Sequence, residues 1–186
     1  MSSSTVIGRE EELATISRLY TSERSEFLAL YGRRRVGKSF LIEEALENKF
    51  TFMTVGLYIK VDKDDAEKVE SYRQQQLRHF YSSLLEYGLP EEENPAPSNW
   101  LDAMNLLKKL LLSKRARRKV VFIDELPWLA GPQSSELVSE LGFFWNQWAR
   151  KRKDIFLIVC GSATSWMIDN VIREYGGLYG RTTERS

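Results

Sequence analysis

The chain has 186 residues, 42% of them apolar and 28% charged, a balance that suits a soluble globule with one sizeable core. With 27 basic against 26 acidic side chains the formal charge is +1, which excludes a strongly basic nucleic-acid module as the default and leaves local patches open. One cysteine, Cys160, and one histidine, His79, exclude a disulfide scaffold and any site built from several of either residue. No apolar run approaches the roughly 18 residues that span a bilayer. The start, MSSSTVIGREEEL, has no basic-then-apolar leader. A cytoplasmic domain without membrane contact is the expectation.

In chain order, a small polar start gives way to a helix from Arg9 to Tyr20, with Leu13, Ile16 and Leu19 at helical spacing. Phe27 to Tyr31 is a short apolar run closed by Gly32 and reads as a buried strand. A helix follows from Gly37 and Lys38 to about Glu47, with Phe40, Leu41, Ile42 and Leu46 partly buried. Phe50 to Val55 is a second strand, rich in aromatic and β-branched types. The stretch at about 60–98 reads as a helical insert. Val69, Tyr72, Leu77, Phe80, Leu84 and Tyr87 mark a long amphipathic helix, Gly88-Leu-Pro90 stops it, and EEENPAPS is a polar loop. It is either a covering helix or the region that sets partner choice. Trp100 to Leu112 is a helix with Leu101, Met104, Leu107 and Leu111 along one face, and Val120 to Ile123 a third strand. Ser134 to about Lys151 is a helix, Ile155 to Cys160 a fourth strand, and Ala163 to Glu174 a last helix before a glycine-rich tail. Strands alternating with helices predict an α/β fold, a three-layer sandwich around a mostly parallel sheet.

Gly32-Arg-Arg-Arg-Val-Gly37-Lys38-Ser39 fits G-x-x-x-x-G-K-[ST] at every specified position, and a buried strand enters it while a helix leaves it. Such a turn points backbone N–H groups at an anion, and the helix N-terminus adds positive potential. The expected cradle runs through Gly32, Arg33, Arg34, Arg35, Val36, Gly37, Lys38, Ser39 and Phe40. Lys38 is expected on the β- and γ-phosphates and Ser39 on Mg²⁺. The arginine side chains can meet a phosphate, a carboxylate or a partner, or point to solvent.

Asp124 and Glu125 end the third strand. Charges at a sheet edge facing a ligand crevice need a partner, and a metal supplies one. Asp124 fits Mg²⁺, and Glu125, leaving on the opposite side of the strand, fits a base that activates water. Ser162 or Thr164, after the fourth strand, is placed to hydrogen-bond that water or the γ-phosphate; alternatively Ser162 caps the next helix. The N-K-x-D pattern of guanine readers is absent, so ATP is favoured.

With these residues in view the chain resembles the archaeal-type ATPase family of P-loop NTPases, relatives of the AAA+ and STAND groups. The matching pieces are VIGREEEL (6–13), FLALYGRRRVGKSFLI (27–42), VVFIDELPWL (120–129), IVCGSATSWM (158–167) and GLYGRTT (177–183). The resemblance implies an additional-strand, catalytic-glutamate (ASCE) core, in which the strand after the acidic pair lies between it and the phosphate-loop strand. It also implies that Val6, Ile7, Gly8 and Arg9 flank the adenine, that Ser162 is the polar residue after the inserted strand, and that Arg181 approaches phosphate, with self-association as one route. Family members continue into a fifth core strand and further domains. The chain is therefore expected to lack the fifth strand and the lid domain, to be a fragment of a longer protein, and to hydrolyse ATP weakly. A nucleotide-dependent switch with little turnover is the alternative.

Two basic runs, Lys108 to Lys119 and Arg150 to Lys153, precede strands and are expected at the sheet end opposite the crevice. They are solvated helix ends or a contact for DNA. Trp128 is expected in a loop near the crevice, Cys160 as a packing residue, and the process and any protein partner are not legible.

Overall fold

The computed structural model describes residues 10–32, 37–133 and 135–173, with the backbone of strand residues 179–182. The elements are α1 (Glu10–Tyr20), β1 (Glu26–Tyr31), α2 (Lys38–Ala45), β2 (Phe52–Val55), α3 (Ala66–Glu86), α4 (Trp100–Leu112) and β3 (Lys119–Asp124). They continue with α5 (Leu126–Ala130), α6 (Ser135–Gln147), a 3-10 turn (Ala149–Lys151), β4 (Ile155–Gly161), α7 (Thr164–Met167), a π turn (Ile168–Ile172) and β5 (Tyr179–Thr182).

The strands pair in parallel in the order β2-β3-β4-β1-β5. The apolar runs are buried throughout because helices cover both faces. Alternation decides which face each residue serves. Phe27, Ala29, Val121, Ile123, Leu157 and Val159 join the core beneath α3, α4 and α6. Leu28, Leu30, Val120, Phe122, Phe156 and Ile158 join the core with Ile16 and Leu19 of α1 and Leu41 and Ile42 of α2. The three-layer expectation is met.

Within the 60–98 stretch, α3 packs onto the sheet. Asp65 caps α3 by accepting from the Glu67 and Lys68 N–H groups, and Leu77, Phe80 and Leu84 enter the core. Arg73 on α3 donates two hydrogen bonds to Glu136 on α6, at 2.7 and 3.0 Å, and Glu136 also accepts the Trp100 N–H at the start of α4. That one carboxylate ties three helices, and the Arg73 hydrogen bonds hold its carboxyl below the usual range.

Several expectations are corrected. A fifth strand is present: β5 pairs with β1, so β1 is not a sheet edge. Leu101 and Phe40 face outward, 50% and 47% exposed, because Trp100, Ala103 and Leu110 take the buried face of α4 and Leu41 and Ile42 that of α2. Trp128 lies in the short helix α5, with Pro127 in its first turn, rather than in a loop. The last helix is present as expected, with α7 continuing directly into the π segment Ile168–Ile172. Among the described residues no helix is long and apolar enough to cross a membrane.

Candidate functional site

In a parallel sheet the C-terminal strand ends share one edge, and the register brings Tyr31 level with Gly161 and Val55 level with Asp124. Gly32 follows β1, Asp124 closes β3, Ser162 follows β4 and Gly56 follows β2. Gly32 and the start of α2 therefore lie at the same sheet edge as the acidic pair, with β4 between their strands.

Gly37 caps α2 with a left-handed backbone, φ 76°. Lys38 opens the helix, is only 6% exposed, and donates from Nζ to the Gly32 carbonyl at 3.0 Å. The Ser39 hydroxyl donates to Asp124 Oδ2, across the gap between α2 and β3. Asp124 is buried, and its Oδ1 accepts the Glu125 N–H at 2.9 Å.

Glu125 does not continue the strand. It turns to φ 50°, ψ 53°, so its side chain is set by that left-handed turn and not by strand alternation. Its carboxylate reaches the end of β4, where Oε1 accepts the Ser162 hydroxyl at 3.2 Å and approaches the Ser162 N–H at 3.4 Å. The N-cap of α7 falls on Ala163, without a side-chain cap, so Ser162 serves the acidic pair and not the helix. Cys160 is fully buried beneath this edge, where burial and then the nearby Asp124 charge push its thiol well up; it packs, as expected.

These groups put a hydroxyl, a buried carboxylate and a buried ammonium at one strand edge. A hydroxyl and a carboxylate oxygen brought together fit a small hard cation that takes few protein ligands and completes its shell with phosphate and water. No group of three or more His, Cys, Asp or Glu forms a protein-only metal cage among the described residues. The buried ammonium and the first turn of α2 supply the positive potential.

Ile7, Gly8 and Arg9, like Arg33, Arg34, Arg35 and Val36, lie outside the described residues. Arg181 is described through its backbone alone, in β5 beside Leu30. Gly56 was missed; the signal was a glycine directly after the β2 run.

The basic runs lie at the other sheet edge, as expected, and three of their members are committed to the fold. The Arg118 guanidinium donates to the carbonyls of Leu19 (2.6 Å), Arg24 (2.8 Å) and Lys153 (3.1 Å). Lys119 and Arg152 both bond Asp154. A cavity of about 600 Å³ opens there, lined among others by Tyr20, Arg117, Arg118, Lys153 and Asp154.

A family described as an ATPase domain predominantly from Archaea matches residues 7–184. An uncharacterised protein of Methanocaldococcus jannaschii is 31% identical over 181 residues, which is 95% of this chain and 34% of that protein. The chain thus spans about a third of that relative. An uncharacterised ATP-binding protein of the same archaeon is 46% identical over 43 residues, 23% of this chain and 73% of its own length. Among solved structures, the Walker-type ATPase of Pyrococcus abyssi superposes with a TM-score of 0.63 at 16% identity, over 96% of this chain and 53% of that one. The ORC1 protein of Aeropyrum pernix, solved in complex with DNA, gives 0.57 at 15% identity, over 96% and 45%. Identities this low show the fold alone: a parallel-sheet P-loop NTPase core with flanking helices.

Proposed function

Since the chain belongs to the family of ATPase domains found predominantly in Archaea, we propose that it binds ATP with Mg²⁺ at the β1–α2 turn and hydrolyses the bond between the β- and γ-phosphates. The observation that carries this reading is the Ser39–Asp124 hydrogen bond, which closes the phosphate-loop helix onto the acidic strand end.

In this reading Lys38 moves from the Gly32 carbonyl to the phosphates, and Ser39 and Asp124 hold the metal. Mg²⁺, when bound, neutralises charge that develops on the phosphate oxygens. Glu125 accepts a proton from the attacking water, and Ser162 orients that carboxylate or the water. Arg181, one strand beyond the phosphate loop, is read as a phosphate-side cation of this copy or a neighbouring one. Ile7, Gly8 and Arg9 are read as adenine contacts. Residues 1–186 are read as one ASCE-type ATPase core with the helical insert at about 60–98.

A second reading, a nucleotide-dependent switch with little turnover, draws on the Ser162 hydroxyl, which engages the same Glu125 oxygen that would take the proton. A DNA or protein partner belongs to this reading as well.

The test compares Lys38→Ala and Glu125→Gln with the parent in titrations with a fluorescent ATP analogue and in phosphate release. Lys38→Ala should lose binding. Glu125→Gln should bind normally and lose turnover by roughly 10²–10⁴-fold, the range for a general base. Parental turnover in Glu125→Gln would remove Glu125 as the base, and a parent that binds without turnover favours the switch.

A further inference from the structure

The turn that carries Glu125 is gripped from outside the crevice, and the grip comes from α3. A left-handed glutamate is strained and persists only where its surroundings over-determine it. The carbonyl of Glu125 accepts the N–H groups of Trp128 and Leu129, at 3.0 and 3.2 Å, which fixes the first turn of α5 to it. On one flank, Gly56 donates its N–H to the Asp124 carbonyl at 2.9 Å. It packs so closely that a Cβ there would collide with the Glu125 carbonyl oxygen and stand 2.5 Å from the Leu129 nitrogen. On the other flank, a Cβ on Gly161 would lie 2.8 Å from Pro127 Cδ.

Two side chains of α3, four residues apart and so on one helix face, close this arrangement. Gln76 is completely buried. Its Oε1 accepts the Leu57 N–H at 3.0 Å and its amide donates to the Leu57 carbonyl at 2.8 Å, so it holds both backbone polar groups of the residue after Gly56. Tyr72 donates its hydroxyl to the Trp128 carbonyl, three residues after Glu125. Burial raises the Tyr72 phenol, which keeps that proton in place. α3 is itself anchored through Arg73 to α6. A buried amide with both ends satisfied directs one geometry, since any slip leaves a polar group unpaired.

We propose that Tyr72 and Gln76 are positioning residues for Glu125: through Trp128 and through Leu57–Gly56 they hold the glutamate turn so that its carboxylate meets Ser162, and thereby set the rate of hydrolysis without touching nucleotide. The inference rests on the reading of Glu125 as the base.

The experiment uses the whole chain with Tyr72→Phe, Gln76→Met and Glu125→Gln. Two quantities are read: amide hydrogen exchange residue by residue, without nucleotide, and kcat, KM and ATP-analogue affinity. Tyr72→Phe keeps the ring and removes one hydrogen bond, so it decides the matter if Gln76→Met does not fold. Exchange at the Trp128 and Leu129 amides should rise by roughly tenfold or more while β1 and β4 keep their protection, the mark of a local opening. Analogue affinity and KM should stay within about twofold, and kcat should fall by roughly tenfold, a modest share of what misplacement of a catalytic group can cost. Unchanged exchange at those two amides in Tyr72→Phe, or a uniform rise across the whole sheet, overturns the proposal. Glu125→Gln separates the two readings. If it is inactive while both α3 variants turn over at the parental rate, the grip falls and the base stands. If it turns over at the parental rate, the base falls, and exchange still decides the grip.

Discussion

Replacing Asp154 by Asn should weaken the fold at neutral pH and make no difference in strong acid. Asp154 precedes β4 at the edge away from the candidate site and accepts Lys119 Nζ at 3.1 Å and Arg152 through Nε and Nη2, each at 2.9 Å. Burial pushes its carboxyl up, but the hydrogen bonds from Arg152 and Lys119 outweigh that and hold it at about 2, against an ordinary 3.8. A carboxyl lowered on folding contributes stability that is complete above its unfolded value and is lost as pH falls through its folded one. The window here is therefore about pH 4 down to about pH 2. At about 1.36 kcal/mol per unit the shift sets a ceiling of roughly 2 kcal/mol. The Asp154 side chain is 21% exposed, so solvent screening brings the expectation to about 1–2 kcal/mol. For a chain of this size that corresponds to roughly 3–6 °C in Tm. Urea midpoints of parent and Asp154→Asn, measured from pH 7 to pH 2, should differ fully above about pH 5, with the gap narrowing below about pH 4 and closing only towards pH 2. Convergence is expected because a protonated Asp154 and an asparagine present the same neutral face to Lys119. Equal midpoints at pH 7, or a gap that persists unchanged at pH 2, would refute the reasoning. The result also bears on the basic runs: if Lys119 and Arg152 serve this lock, they are not free to grip phosphates of DNA.

Gly56→Ala should destabilise by about 1–3 kcal/mol, the range for overpacking, and lower kcat more than analogue affinity, because the added methyl meets backbone and not a flexible side chain; thermal melts with steady-state kinetics read both. Arg118→Met should lower the urea midpoint by the equivalent of about 1–3 kcal/mol, since three carbonyls lose a charged donor; an unchanged midpoint would return Arg118 to the solvated run. Cys160 should resist a thiol reagent in the folded protein and react only as fast as the sheet opens, because it is fully buried with a raised thiol. Fast labelling under native conditions would contradict that placement.

The backbone signals at each end of the site are local, and the sequence alone was enough for them. A run such as FLALY followed by GRRRVGKS, or VVFI followed by Asp124-Glu125, announces a buried strand and the turn beyond it through residues within a few positions. Continuous apolar runs alternating with helices also imply a sheet covered on both faces, and that is the sheet observed. The direction of a side chain is less local. Leu101 and Phe40 occupy plausible buried positions by spacing, yet their neighbours Trp100 and Leu41 fill the space against the sheet. Gln76 is the instructive case: a polar residue within the apolar stripe of α3 is visible in the sequence, but its partner Leu57 and its bearing on Glu125 are not. Nor is the left-handed turn of Glu125, which propensity disfavours and which the flanking strand ends and α3 impose. The pairing of β5 with β1 and the hydrogen bond from Ser39 to Asp124 join residues far apart in the chain. Composition and periodicity carry short-range preference, whereas the partner of a buried polar group is chosen by packing between elements that meet only when the sheet is assembled.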